Sequence, residues 1–161
     1  MPIATAPIPV VSAAEGPTGD QLHAWRSLHR TYAWMSKRLD AELEQAHGLP
    51  LTSYEVLDQL GDAPDGRMRM CDLADSIGLS RSGLTRLVDR LERDGLLGRC
   101  SCVHDARGAY ACLTDAGRAL LEAARETHTA GVRSHFLSRL SSQELRLLGQ
   151  LSDRVRPICC E

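Results

Sequence analysis

The chain has 161 residues, 43% of them apolar and 25% charged, which suits one ordinary globular domain and excludes wholesale disorder. Its 19 basic and 21 acidic residues leave a net charge of −2, so the whole-chain balance gives no hint of a polyanionic partner. No run of 18 or more uncharged apolar residues occurs, which excludes a transmembrane helix and any membrane partner read from one; the expected location is cytoplasmic.

Residues 1–17 carry four prolines (Pro2, Pro7, Pro9, Pro17) and neither a basic start nor an unbroken apolar stretch, so they read as a flexible arm and not as an export signal. From Asp20 to His47 the apolar period is helical: Leu22, Trp25, Leu28, His29, Tyr32, Met35, Leu39 and Leu43 recur every three or four residues. Thr18 with Gln21 forms a capping-box pattern, and Gly48 follows the last turn. This helix is longer than a lone small domain requires, so part of its stripe is expected to pack on something further. Thr52-Ser-Tyr-Glu55 is a second capping box, opening a helix through Val56, Leu57 and Leu60 that stops at Gly61. Pro64-Asp-Gly66 is a turn, and Arg67–Met70 is short enough for a strand fragment. A short helix over Cys71–Ile77 buries Leu73, Ala74 and Ile77, and Gly78-Leu79 links it to the next. Ser80 caps that next helix, whose Leu84, Leu87, Val88 and Leu91 fit one face, with Gly95 as its stop.

Beyond Gly95 the period changes. Leu96–His104 and Ala109–Leu113 read as two strands joined by a tip at Asp105–Gly108. Thr114 caps a long helix to about Leu137, and Ser141-Ser-Gln-Glu144 is a third capping box for a last helix to about Val155, before Pro157. The order specifies a mostly α fold, an α+β winged helix. A winged helix-turn-helix over about 52–113 is flanked by helices at 20–47 and 114–155, within a single domain spanning 18–155, and 156–161 form a tail.

A helix-turn-helix places its second helix in the major groove, leading with that helix's N-terminal residues. The arc opposite Leu84, Leu87, Val88 and Leu91 holds Arg81, Ser82, Thr85, Arg86, Asp89 and Arg93. Hydroxyls, helix N-terminal amides and guanidinium forks all bind phosphate, and arginine also reads guanine. Ser80, Arg81, Ser82, Thr85, Arg86, Arg90 and Arg93 are therefore the candidate DNA-binding set on this helix. Arg107 at the hairpin apex joins them as a minor-groove residue, with Asp105 to orient it. Charge distribution agrees: Arg67 to Arg107 holds eight arginines against six acids, inside an otherwise acidic chain. Of the 19 basic residues 18 are arginine, which suits phosphate and guanine contacts and equally reflects a GC-rich coding bias.

At these residues the sequence resembles the MarR family of bacterial winged-helix regulators (multiple antibiotic resistance regulators). The resemblance lies in Met70–Arg99 for the helix-turn-helix, Asp105-x-Arg107-Gly108 for the wing tip and Leu113-Thr-Asp-Ala-Gly117 for the junction after it, and it spans about Asp20 to Val155. Ala106 stands where the family often has a second basic residue. The resemblance implies a homodimer whose terminal helices form the dimerisation platform. It also implies a pseudo-palindromic double-stranded DNA operator and a repressor relieved by a small aromatic or phenolic effector. For that effector the candidate wall is the helix face with Trp25, His29 and Tyr32, beside Arg26 and Arg30; the competing reading makes Trp25 and Tyr32 dimer-core packing.

Cys100, Cys102 and His104 alternate along one strand and so share a face, with Cys112 on the partner strand within a residue of facing Ser101 or Cys102. Three readings stay open: inert thiols, a redox role through a disulfide that distorts the wing, or a zinc site, although the spacing is not a standard zinc pattern. No cofactor or resident metal is expected. Cys71 reads as packing. Cys159 and Cys160 read as a frayed end or, by the resemblance, as an inter-chain disulfide near the platform. His128 and His135 lie seven apart and so on one face of the long helix, where a metal or ligand site is the lesser of the readings, while His23 and His47 read as surface groups. No His-Glu-x-x-His, phosphate-binding glycine loop or nucleophile elbow occurs, so an enzyme is not expected. The remaining competitor is a winged-helix adaptor that binds protein without DNA.

Overall fold

A reciprocal cap at Thr18 and Gln21 starts the first helix: the Thr18 amide donates to Gln21 Oε1 at 2.9 Å, and the Gln21 amide to Thr18 Oγ1 at 3.3 Å. The computed structural model describes residues 16–102 and 105–155. Its helices are α1 (Gly19–His47), α2 (Leu51–Asp62), α3 (Met70–Ile77), α4 (Arg81–Arg93), α5 (Asp115–His135) and α6 (Ser142–Val155). Its strands are β1 (Arg67–Arg69), β2 (Leu97–Cys102) and β3 (Asp105–Leu113), forming one antiparallel sheet in the order β1-β3-β2. The expected winged helix is the observed fold, and no helix among the described residues is long and apolar enough to cross a membrane.

Two compact units divide between Trp34 and Met35. In the first, Trp25, Leu28 and Tyr32 are more than half exposed, at 65, 56 and 68%. The second contains the core: Leu39 and Leu43 of α1, Val56, Leu57 and Leu60 of α2, Leu73 of α3, Leu84, Val88 and Leu91 of α4, Leu97 of β2, and Leu121 and Ala124 of α5. For the helical residues among these, spacings of three and four put them on inward faces.

Several boundaries differ from expectation. The Thr52 box does not form: α2 begins at Leu51, after Pro50, and the carboxylate that accepts the Leu51 amide is Asp40 Oδ1 of α1 at 2.8 Å. Nor does α2 stop at Gly61. The helix continues to Asp62 because Gly61 is an approach point for α5, where a Cβ would lie 2.5 Å from the Leu121 side chain. Finally, residues 105–108, expected as the hairpin tip, are the first residues of β3, and Cys102 pairs with Asp105.

Helix α5 is fixed to the start of the wing. Thr114 caps it by accepting the Gly117 amide at 3.0 Å, while its own amide and hydroxyl both donate to the Leu96 carbonyl, at 3.2 and 3.0 Å. Gly117 sits so close beneath that carbonyl that a Cβ would lie 2.1 Å from the oxygen. Further along, Arg125 donates to Asp58 at 2.8 Å and Asp62 at 2.5 Å on α2, and His128 stacks on Tyr54 with ring centroids 4.5 Å apart. Burial, reinforced by the Asp58 carboxylate, pushes the Tyr54 hydroxyl up to about 12. Burial also lowers the His128 imidazole below its usual range, with Asp58 opposing.

These contacts correct the histidine expectations. His128 and His135 have separate partners: His135 Nε2 lies 2.6 Å from Glu42 Oε1, and His128 belongs to the Tyr54 stack. His47 is half-buried, 2.8 Å from Thr127 Oγ1. Helix α5 ends at His135, short of Leu137, because Phe136 leaves helical geometry at φ −125°. The third capping box forms as expected, with Ser141 donating to Glu144 Oε2 at 2.7 Å and so holding that carboxyl below its usual range. On α6, Leu147, Leu151 and Val155 follow at four-residue spacing and are 54, 44 and 80% exposed.

Candidate nucleic-acid interface

Gly78, in the left-handed region at φ 69°, turns the chain between α3 and α4 and caps α3 by donating to Ala74 and Asp75. Ser80 then opens α4, its hydroxyl accepting the Gly83 amide at 3.1 Å and lying 3.3 Å from Ser82 Oγ. Leu84, Val88 and Leu91 bury one side of α4. That burial turns Arg81, Ser82, Thr85 and Arg86 outward, and all four are exposed. The Thr85 hydroxyl donates to the Arg81 carbonyl at 2.8 Å, leaving its lone pairs outward. No carboxylate among the described residues pairs with Arg81 or Arg86. The helix therefore leads with amides, hydroxyls and two unneutralised guanidinium groups, the chemistry that grips phosphate and base edges.

The other two arginines expected on this surface are engaged within the fold. Arg90 reaches α2, where its Nη2 donates to the buried Ser53 hydroxyl at 2.6 Å. Arg93 folds back along its own helix, Nε donating to the Asp89 carbonyl at 3.2 Å. Asp89 in turn pairs with Arg99 of β2, which also donates to Glu92 at 2.5 Å. This bridge ties the first strand of the wing to the second helix of the motif, and the Asp89 hydrogen bond raises the already high Arg99 pKa further. Sequence inspection did not single out Ser53 or Arg99 for these roles. The only available signal for Arg99 was its seven- and ten-residue offset from two acids in α4, which becomes a contact only once the hairpin folds back.

Within the wing, paired residues share a face. Met68, Leu97, Ala111 and Leu113 point to the core, so Arg67, Arg69, Cys100, Tyr110 and Cys112 occupy the outer face. Arg69 Nε donates to the Tyr110 hydroxyl at 2.9 Å. Cys112 faces Gly98, not Ser101 or Cys102 as expected. It is bonded to Cys100 as a disulfide, which removes two thiolates from the four-ligand zinc set. No group of three metal-binding side chains occurs among the described residues. Cys71 is exposed, contrary to the packing role expected of it, with Sγ 3.3 Å from Asp72 Oδ1. His104, Cys159, Cys160 and the arm before residue 16 lie outside the described residues, as do the side chains of Cys102, Asp105 and Arg107.

The effector candidates Trp25, Arg26, His29, Arg30 and Tyr32 share the first unit and are all exposed. The Trp25 and His29 rings are 6.3 Å apart, and Arg30 Nε donates to the Arg26 carbonyl at 3.4 Å. A cavity of about 240 Å³ lies elsewhere, in the second unit, between Glu44, Ser53, Arg90, Asp94, Leu96 and Leu120.

Comparison with known proteins agrees with this geometry. A family model described as MarR family matches residues 47–108. The HTH-type transcriptional regulator MhqR of Bacillus subtilis is 30% identical over 131 residues, covering 80% of this chain and 86% of that protein. The HTH-type transcriptional repressor YetL of the same organism is 29% identical over 128 residues, covering 75% and 76%. Among solved structures, Sco3205, a MarR family transcriptional regulator from Streptomyces coelicolor in complex with DNA, superposes with a TM-score of 0.81. It is 32% identical and covers 88% of each chain. With a capped, arginine-bearing second helix braced to a three-stranded wing, and with these relatives across most of its length, the chain belongs to the MarR family of DNA-binding transcriptional regulators.

Proposed function

We propose that the protein is a homodimeric repressor that binds a pseudo-palindromic operator through Arg81, Ser82, Thr85 and Arg86 of α4 and Arg107 of the wing, and is released by a small aromatic or phenolic ligand. The observation that carries the DNA-binding surface is the pairing state of the arginines: Arg90 and Arg99 are engaged within the fold, whereas no carboxylate among the described residues engages Arg81 or Arg86. A protein adaptor has no need to keep such charges unneutralised. Support for a dimer comes from the apolar residues left exposed in each unit, Trp25, Leu28 and Tyr32 in one and Leu147, Leu151 and Val155 in the other. Two copies would set their recognition helices at the spacing of about 34–36 Å that successive major grooves require. A ligand that alters this spacing lowers operator affinity. YetL, a relative of this chain, is named a repressor, which favours that sense of regulation.

The test begins with duplexes selected by the protein from a random pool. Arg86→Ala and Arg107→Ala are each expected to weaken binding and to lower the log–log salt slope by about 1. Affinity and slope unchanged in both variants would support the adaptor reading instead. For the ligand, a set of hydroxybenzoic acids is titrated into the complex. Trp25→Ala is expected to diminish release more than it diminishes dimerisation in sedimentation. Equal losses would assign Trp25 to dimer packing.

A further inference from the structure

The cavity of about 240 Å³ in the second unit lies where the end of α1, the start of α2, the end of α4 and the early turns of α5 meet. Leu49, Pro50, Leu91, Leu96 and Leu120 give it an apolar floor, with Leu49 and Leu91 buried and the other three half-buried. Its polar side chains are Glu44, Asp94, Arg90 and Ser53. Two carboxylates against one guanidinium leave one negative charge uncompensated, and no cation among the described residues pairs with Glu44 or Asp94. Two helices add to that charge by ending here. Glu44 belongs to the last turn of α1 and Asp94 is the C-terminal cap of α4, and a helix C-terminus carries partial negative charge of its own. The basic residues of those two last turns, His47 and Arg93, do not line the cavity. His47 lies 2.8 Å from Thr127 Oγ1, and Arg93 folds back on the Asp89 carbonyl. Ser53 supplies an independent sign of an occupant. Its hydroxyl is 1% exposed and accepts from Arg90 Nη2, which leaves its own proton with no acceptor among the described residues. A buried donor without an acceptor is costly, and a ligand oxygen relieves that cost.

We propose that this cavity is a binding site for a small organic cation, a protonated amine on a compact apolar body that also carries a hydroxyl oxygen. The ammonium group lies by Glu44 and Asp94, which are exposed at the rim. The apolar body covers the leucines and Pro50, and the ligand oxygen takes the Ser53 proton. The volume is below the range of about 300–1,000 Å³ that drug-sized ligands fill, so the occupant is no larger than one ring with a short side chain. The site shares no residue with the α1 face proposed above for a phenolic effector, and it does not rest on the DNA-binding reading.

The experiment titrates the full-length protein with probes of one shape: phenylethanolamine, which is protonated near neutral pH, its uncharged counterpart phenylethanediol, and the anion mandelate. Calorimetry is expected to show phenylethanolamine binding at least about fivefold more tightly than phenylethanediol, with mandelate the weakest. That advantage should shrink at about 1 M salt. Phenethylamine, which lacks the oxygen, should bind less tightly than phenylethanolamine. In amide NMR spectra of the same titration, Gly48, Asp94 and Leu96 should be among the residues that shift. Glu44→Gln combined with Asp94→Asn should bring the amine down to the affinity of the diol; if that chain fails to fold, the wild-type amide shifts decide. No saturable binding of phenylethanolamine, equal affinity for amine and diol, mandelate as tight as the amine, phenethylamine as tight as phenylethanolamine, an advantage that survives the double substitution, or amide shifts confined to other parts of the chain would each overturn the proposal. No DNA enters these measurements, so their failure removes this proposal and leaves the regulator reading as it stands.

Discussion

Arg90 of α4 and Ser53 of α2 are joined by a 2.6 Å hydrogen bond, and the serine is 1% exposed. Truncating the arginine strands a buried hydroxyl, a loss of about 1–3 kcal/mol. Arg90→Ala is therefore expected to lower the urea midpoint while leaving the salt dependence of operator binding close to wild type. Arg86→Ala should do the reverse. Denaturation curves and salt titrations on both variants separate an arginine that braces α4 against α2 from one proposed to contact the duplex.

Gly117 tolerates no side chain, because a Cβ would lie 2.1 Å from the Leu96 carbonyl oxygen and 2.9 Å from Leu113. The first obstacle is backbone and cannot rotate away. Gly117→Ala is expected to destabilise the fold by about 1–3 kcal/mol. At Gly131 the nearest atoms are the ends of the Glu42 and Leu39 side chains, so Gly131→Ala should have the smaller effect in the same denaturation assay.

The His128 imidazole, stacked on Tyr54, is held below 6.5 by burial. As pH falls through about 6.5 the unfolded chain takes up a proton that the folded chain resists, so stability declines across the window between the unfolded and folded values. His128→Phe keeps a ring in the stack and removes the titration. The wild type is expected to lose more of its urea midpoint than His128→Phe between about pH 7.5 and pH 5.5.

Arg99 bridges Asp89 and Glu92, but its side chain is 44% exposed and its partners 47 and 37%. Solvent screening limits such a pair to about 1 kcal/mol or less. Arg99→Ala should cost no more than that, and the difference should shrink at about 1 M salt, where screening is strong. A larger, salt-independent loss would mean that packing of the arginine stem carries the effect.

Local features of this fold were legible in the sequence wherever a side chain acts on its own neighbourhood. Ser80, Thr114, Thr18 and Ser141 cap the helices they were expected to cap, since a hydroxyl three residues from an amide needs no tertiary information. The alternation to strand after Gly95 was equally plain. What stayed hidden depends on residues far apart in the chain. Asp40 supplants Thr52 at the start of α2 because α1 delivers a carboxylate to that point, and Gly61 stays helical because α5 crosses there. Helical periodicity placed Arg90 on the recognition helix, but only the packing of α2 decides that its guanidinium reaches Ser53. A cross-strand disulfide in the wing was among the readings, but not which strand residues face Cys112, because an assumed tip at 105–108 set the hairpin register differently from the observed Cys102–Asp105 pairing.

Leu96 ends the turn after α4 and Thr114 follows β3, and the carbonyl of the first receives two hydrogen bonds from the second while Gly117 closes over it. The hairpin thus leaves and re-enters the body of the protein through one welded joint, at the foot of a helix 21 residues long. A tilt of that shaft has no slack to absorb it at its base. Whatever leans on α5 from its distant end works the blade at the other as an oar does through its rowlock.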